Sequence, residues 1–485
     1  MLYYRKPMKG SMKMRKTKIL CTMGPSCDSP QVLREMINYG MNLARLNMAH
    51  GELAEHKERI HRIREIAEEL NIFIPILMDI KGPEIRIGKL KEDSIELSKN
   101  DVIILTTEDI LGDAHKIPVN YIDMPNIMKP DSRILLDDGL IELSVTQVQG
   151  TDIYCKVING GKLKPRKGVN LPGIKTTLPG ITARDINHIN FGLENGIDII
   201  AVSFVRKAAD IEEVRRILKQ NNAGHIQIIS KIENEEGVAN LDEIIEASDG
   251  IMVARGDLGV EIQVEEVPLV QREIIEKCNN VGKPVIVATH MLDSMQVNPR
   301  PTRAEVSDVF TAVLQGVDVL MLSGETAAGK YASDSVRTMG MIADKAESKI
   351  NYTEKFIQRK MKHTADVTEI ISQAAVSSSL ELNTKAIIAQ TERGFTARMI
   401  SKYRPKAPII AVTQHANVLA KLCLMWGVLP VLGNEVRSTD DMFASAIDNS
   451  LTTGMINHGD FVVISAGVPV GKTGTTNLIK IHQIQ

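Results

Sequence analysis

The sequence predicts an α/β protein built on a (β/α)8 TIM barrel, with an all-β lid domain inserted after strand three and a doubly wound α/β domain at the C-terminal end. Three observations predict it. Short apolar runs recur eight times with amphipathic segments between them. One gap in that rhythm, from residue 80 to residue 197, is far longer than a βα connection. A fresh strand–helix alternation then starts after residue 346.

The eight runs are KILCTM (18–23), MNLARLN (41–47), IPILMD (74–79), DIIAVS (198–203), IQIIS (226–230), GIMVAR (250–255), PVIVAT (284–289) and DVLMLS (318–323). Continuous apolar strands of this kind suit a parallel sheet buried on both faces, and segments such as ELAEHKERIHRIREIAEEL supply the covering helices. Residues 84–175 instead alternate polar and apolar side chains, as in DSIELS and GLIELSVTQV, with Asp-Asp-Gly and Asn-Gly-Gly turns. That pattern reads as an all-β unit resembling a small barrel, placed over the mouth of the larger one. The expected division is a basic N-terminal arm (1–16), the barrel (17–83 and 176–346), the lid (84–175) and a C-terminal α/β domain (347–485) with strands KAIIAQ, PIIAVT, FVVISAG and TNLIKIHQI.

Composition excludes several function classes. A net charge of −2 gives no general attraction to nucleic acid or anionic membrane. The basic start lacks an apolar signal-peptide core and no 18-residue apolar run occurs, so a cytoplasmic protein is expected. The five cysteines are scattered without a CxxC pair, which argues against a disulfide framework and a zinc site.

In IQIISKIENEEG (226–237), Lys231 and Glu233 are two positions apart at the end of an apolar strand, so they point the same way. An internal salt bridge is one reading. The other strand ends favour a site: Arg45 and Asn47 close the second run, Asp79, Lys81 and Arg86 the third, Arg255 and Asp257 the sixth, Thr289 and His290 the seventh, Ser323 and Glu325 the eighth. Catalytic groups of such barrels come from several strand ends on one face. Glu233 and Asp257 are hard oxygen ligands suited to magnesium, and Arg45, Arg86 and Lys231 add cations. Cations beside a carboxylate-held metal, with no nucleophile–base pair, fit phosphoryl transfer, where positioning and charge neutralisation do most of the catalysis.

GKTG (471–474) is not a P-loop, because Ala466 replaces the leading glycine and a strand-like segment follows. TERGFT (391–396) joins a strand to a helix start, reading either as an anion-binding loop or as a polar turn.

The segments RKTKILCTMGP, ARLNMAHG, MDIKGPEIR, KGVNLPG, IISKIENEEG, DGIMVARGDLGVEI, VATHMLDSM, RPTRAEVSDV and MLSGETAAGKY resemble, in order and across nearly the whole chain, the motifs of the pyruvate kinase family. The resemblance implies phosphoryl transfer from phosphoenolpyruvate to ADP, the last step of glycolysis, giving ATP and pyruvate. It implies Lys231, Arg86 and Thr289 as catalytic residues, with Arg45, Gly256, Asp257 and Thr289 also binding substrate. Glu233 and Asp257 would hold Mg2+, for which Mn2+ is the expected substitute. Asn47, His50, Arg86 and Lys167 would face ADP/ATP. A potassium site would use Asn47, Asp79 and the Ile80 carbonyl. Ala49 replaces the family's usual serine there, which weakens the site, whereas Glu84 matches potassium-requiring members. His290 stands where glutamine is usual. Thr391, Thr396, Lys472 and Thr473 would bind a phosphorylated allosteric effector, with Glu392 placing a negative charge in that loop. A homotetramer is also implied, with no nucleic acid or membrane partner. The competing readings are a magnesium-dependent lyase or mutase acting on the same substrate, and a metabolite sensor that kept the fold.

Overall fold

A computed structural model describes residues 14–360, 366–469, 474 and 476–485. Among these, eight parallel strands close a barrel: Lys18–Thr22, Leu43–Asn47, Ile76–Ile80, Ile199–Val202, Gln227–Ile232, Gly250–Ala254, Val285–Ala288 and Val319–Leu322, with the eighth paired to the first. Strand alternation explains their uniform apolarity. Leu20, Leu43, Leu77, Ile199, Ala201, Ile229, Met252, Ile286, Ala288, Val319 and Met321 fill the interior. Their neighbours, such as Ile19, Ile76, Ile228 and Val253, meet the surrounding helices instead.

The same alternation places polar groups at the mouth. Two residues beyond inward Leu20, Leu43, Leu77, Ala201 and Ile229 come Thr22, Arg45, Asp79, Ser203 and Lys231. The apolar interior is therefore capped, at the C-terminal ends of its strands, by a polar layer.

The insert is all-β apart from one helical turn at Met124–Ile127. Among the described residues it contains a six-stranded sheet and a two-stranded sheet around its own apolar core, which includes Ile103, Leu105, Ile134, Leu143 and Val157. It touches the barrel at its C-terminal face, where Asn170 donates to Glu261 at 2.7 Å.

The C-terminal sheet runs Val428–Leu432, Ile409–Thr413, Ala386–Gln390, Phe461–Ala466, Leu478–Gln483, with only the last strand antiparallel. Val428–Leu432 is absent from the strands expected from sequence because Pro430 interrupts it. Lacking an N–H, proline is tolerated on an edge strand, and this strand is the sheet's edge.

This domain seals the opposite end of the barrel. Leu424 joins the interior cluster, and Lys18 Nζ donates to the Val428 carbonyl at 2.6 Å. Arg404 pairs with Asp318 at 2.6 Å, and the Trp426 N–H donates to the same carboxylate at 3.1 Å. Glu347 receives the backbone N–H groups of Lys16 and Thr17. Among the described residues no helix is long and apolar enough to cross a membrane.

The Asp318–Arg404 pair is almost wholly buried, so removing one partner strands the other charge at a cost of about 3–5 kcal/mol. Asp318→Ala is therefore expected to loosen the domain junction. The fluorescence of Trp426, the single tryptophan, should shift to the red at lower urea than in the parent protein; an unchanged midpoint would count against this role.

Candidate active site

Asp79 is the centre of the polar layer. Its carboxylate is 2.7 Å from Arg45 and 3.3 Å from Lys231, and it accepts from Ser203 Oγ at 3.3 Å. Lys231 Nζ donates to Ser203 Oγ at 2.7 Å and lies 2.9 Å from Glu233 Oε1. Ser203 in turn donates to the Ile80 carbonyl at 2.7 Å, and Arg45 reaches Thr22 Oγ1 at 3.0 Å. Five strands thus contribute to one connected network.

Glu233 is fully buried. Its Oε2 accepts the Phe204 N–H at 2.7 Å, and Phe204 adopts a left-handed backbone with φ 56° to deliver it. Its Oε1 has the Lys231 ion pair but no aligned hydrogen bond. Asp257 sits in the first turn of Arg255–Glu261, a helix that starts as the sixth strand ends.

At the seventh strand, Thr289 and His290 both have left-handed backbones, φ 67° and 53°. Arg255 holds that bend: it donates to the Ala288 carbonyl at 3.2 Å and the Thr289 carbonyl at 2.6 Å while paired with Asp308 at 2.7 Å. Such strain persists where surrounding contacts over-determine it, commonly at functional sites. The bend turns Thr289 Oγ1 toward the Gly256 N–H, 2.8 Å away, and the hydroxyl donates to the Ala288 carbonyl at 2.6 Å.

Comparison with known proteins gives this arrangement its family. Residues 14–336 match the family described as "Pyruvate kinase, barrel domain" and residues 369–482 match "Pyruvate kinase, alpha/beta domain". A pyruvate kinase of Geobacillus stearothermophilus is 51% identical over 472 residues, covering 97% of this chain and 80% of the relative. That of Bacillus licheniformis is 51% identical over 473 residues, 97% of this chain and 81% of the relative. The Staphylococcus aureus (strain MRSA252) protein is 48% identical over the same span and shares. The chain belongs to the pyruvate kinase family.

For a pyruvate kinase the electrostatics of the mouth are informative. Burial opposes the charge on Asp79, but Lys231 and Arg45 outweigh it and hold its pKa below the ordinary carboxylate value. Burial likewise opposes the Lys231 ammonium, and Asp79 and Glu233 outweigh it, raising its pKa. Glu233 goes the other way. Burial, with Asp257 nearby, pushes it up to about 8 despite Lys231. Two cations, Arg45 and Lys231, face three acids, Asp79, Glu233 and Asp257, and burial makes Glu233 the costliest of these to ionise. Among the described residues no group of three or more His, Cys, Asp or Glu side chains could hold a metal.

The other residues expected from sequence make different contacts. Asn47, level with Asp79 in the strand register, accepts the Ala49 N–H at 3.2 Å, and His50 is exposed just beyond. Arg86 lies where the chain enters the lid, bound to Glu84 at 2.5 Å and to the Arg166 carbonyl at 2.8 Å rather than to the Lys231 network. Glu84 also pairs with Lys81, and Lys167 pairs with Asp137 at 2.6 Å. Ser323 donates its N–H to Glu325, which also accepts from Leu292 and is a buried structural acid. In the C-terminal domain Thr391 and Thr396 are buried, and Thr396 Oγ1 meets Thr476 Oγ1 at 3.0 Å. Glu392 is engaged by Gln414 and His415. Lys472 and Thr473 lie outside the described residues.

Ser203 and Thr22 are absent from the site expected from sequence. Both could be found by counting two residues on from an inward apolar position. Hydrogen bonds to charged groups contribute about 1.5–3 kcal/mol, and each 1.36 kcal/mol is tenfold in rate. Ser203→Ala should accordingly lower turnover by roughly tenfold or more through misplacement of Lys231. Unaltered kcat and KM in a steady-state assay would make Ser203 a bystander.

Proposed function

We propose that the Lys231 network is where this pyruvate kinase moves the phosphoryl group of phosphoenolpyruvate to ADP. The observation that supports it most is the Lys231 ammonium, buried and held between Asp79 and Glu233 at the barrel mouth. In this reading Lys231 meets the migrating phosphoryl group and offsets the charge that develops on it. Arg45 binds the same group from the second strand, its guanidinium kept in place by Asp79 and Thr22. The Gly256 N–H and Thr289 hydroxyl, already aligned, exchange their mutual hydrogen bond for the substrate carboxylate. Thr289 is assigned to the face on which the enolate is protonated to pyruvate. Arg86, Asn47, His50 and, from the lid, Lys167 are assigned to the nucleotide side.

The buried Oε1 of Glu233, without an aligned donor, and the Asp257 carboxylate near it fit a small hard cation with oxygen ligands. Held by Glu233 and Asp257, Mg2+ (or Mn2+) would neutralise charge on the phosphoryl oxygens. A potassium ion at Asn47, Asp79 and the Ile80 carbonyl is the weaker part of the reading, since Asp79 already serves two cations and the Ile80 carbonyl a hydroxyl. The three units are proposed to divide as 17–83 with 176–346, 84–175 and 347–485, in a cytoplasmic homotetramer with an effector loop at Thr391 and Thr396.

Lys231→Met tests the assignment. ATP formation from phosphoenolpyruvate, ADP and Mg2+ should fall by about 10²–10³-fold or more, with phosphoenolpyruvate still bound. Turnover near that of the parent protein would remove Lys231 from the mechanism.

A further inference from the structure

At the end of the barrel away from the mouth, the junction with the C-terminal domain forms a partly open cavity of about 290 Å³. Ligand sites begin at about 300 Å³, so the space suits a small molecule. Its walls are basic: Arg215 and Lys283 come from the barrel, Arg398 and Lys421 from the C-terminal domain.

The barrel cations are already committed. Lys283 Nζ donates to the carbonyls of Ile245, Glu246 and Ser248 at 2.6–2.8 Å, closing the end of the helix Leu241–Ala247. Arg215 takes the Ala247 carbonyl at 2.8 Å and Asp249 at 3.2 Å. Asp249 is itself shared with the Ile228 N–H at 3.0 Å, and Glu246 is an exposed rim residue.

The other two cations have no such commitment. Among the described residues neither the Arg398 nor the Lys421 side chain makes a hydrogen bond or ion pair, and Arg398 Nε is buried without a partner. Arg398 rests on Phe395, its guanidinium carbon 5.1 Å from the ring centre, and its stem packs over Gly282, where a Cβ would come within 3.5 Å. Gly282, with φ 70°, ends the barrel helix Val267–Val281, so this close approach of the two domains fixes where the guanidinium points. Burial lowers the pKa of both groups, and each is also under the influence of Asp249. Two desolvated cations with their donors unused, beside two more whose charge is only partly answered, leave the cavity positive.

We propose that this cavity is a binding site for a small phosphorylated metabolite, whose phosphoryl dianion is held by Arg398 and Lys421. A guanidinium fork and an ammonium are the donors that phosphate oxygens match best. The site is separate from the catalytic mouth. A ligand there is in contact with both domains, and with Leu424, which closes the barrel interior. It therefore tightens the junction when bound.

The test is a local footprint on the full-length chain. Lys421 is acetylated with acetic anhydride, and the modified peptide is followed by mass spectrometry while inorganic phosphate or glycerol 3-phosphate is titrated in. Protection of Lys421 by about fivefold or more at millimolar concentration is the expected result, with Arg398→Gln raising the half-protecting concentration by about tenfold. Half-protection by glycerol 3-phosphate at about one tenth of the phosphate concentration identifies an organic phosphomonoester as the occupant. Equal concentrations identify free phosphate. Absence of protection by either probe at about 10 mM overturns the proposal, as does protection unaltered in Arg398→Gln. Should that variant not fold, the parent protein's footprint decides alone.

Discussion

An ammonium group buried at the mouth of an apolar barrel must be matched by acids, and the placement of those acids organises the rest of this molecule. Asp79 answers both Lys231 and Arg45, and Ser203 ties the ammonium to the third and fourth strands. At about 3 Å and an effective dielectric near 20, one such pair attracts by roughly 5 kcal/mol, comparable to the several kcal/mol lost by each ion on leaving water. The network is therefore near balance without ligands. Glu233 tips it: buried, and raised to about 8 mainly by that burial, it is an acid which the protein's own cations do not fully satisfy. A site left short of positive charge in this way is suited to receive it with the substrate.

The barrel gives that network its geometry. Inward and outward residues alternate on every strand, so a side chain two positions past an interior leucine or isoleucine reaches the mouth without further instruction. Thr22, Arg45, Asp79, Ser203 and Lys231 all follow this rule. Beyond the strands, backbone strain takes over. Phe204, Thr289 and His290 accept left-handed conformations, and the contacts that enforce them come from Glu233 and Arg255. Arg255 is thus a positioning residue: its donors go to carbonyls, to Asp308 and to the side chains of Gln271 and Met291.

Much of this was legible in the sequence, because apolar runs and polar strand ends are local signals. The eight strands, the inserted β unit, and the Lys231–Glu233 pair follow from spacing alone. What was hidden depends on partners distant in the chain. Ser203 looks like the tail of an apolar run until Lys231 and Asp79 are seen beside it. Glu325 looks like one more charged strand end of the site until Leu292 and Ser323 donate to it. The edge strand at Val428–Leu432 is masked by Pro430, whose tolerance depends on its place in the sheet. The two ends of the barrel also differ in a way that no single run reveals: the mouth gathers its charges from strand ends, whereas the far end owes its basic cavity to the docking of a second domain.

We propose that Glu233 and Asp257 together hold a divalent cation. Electron paramagnetic resonance of Mn2+ reads this without turnover. Titrated into the protein, Mn2+ should lose its free signal on binding at one site per chain, and Glu233→Gln and Asp257→Asn should each weaken that binding by at least about tenfold. Binding of Mn2+ at parental strength by both variants would contradict the account.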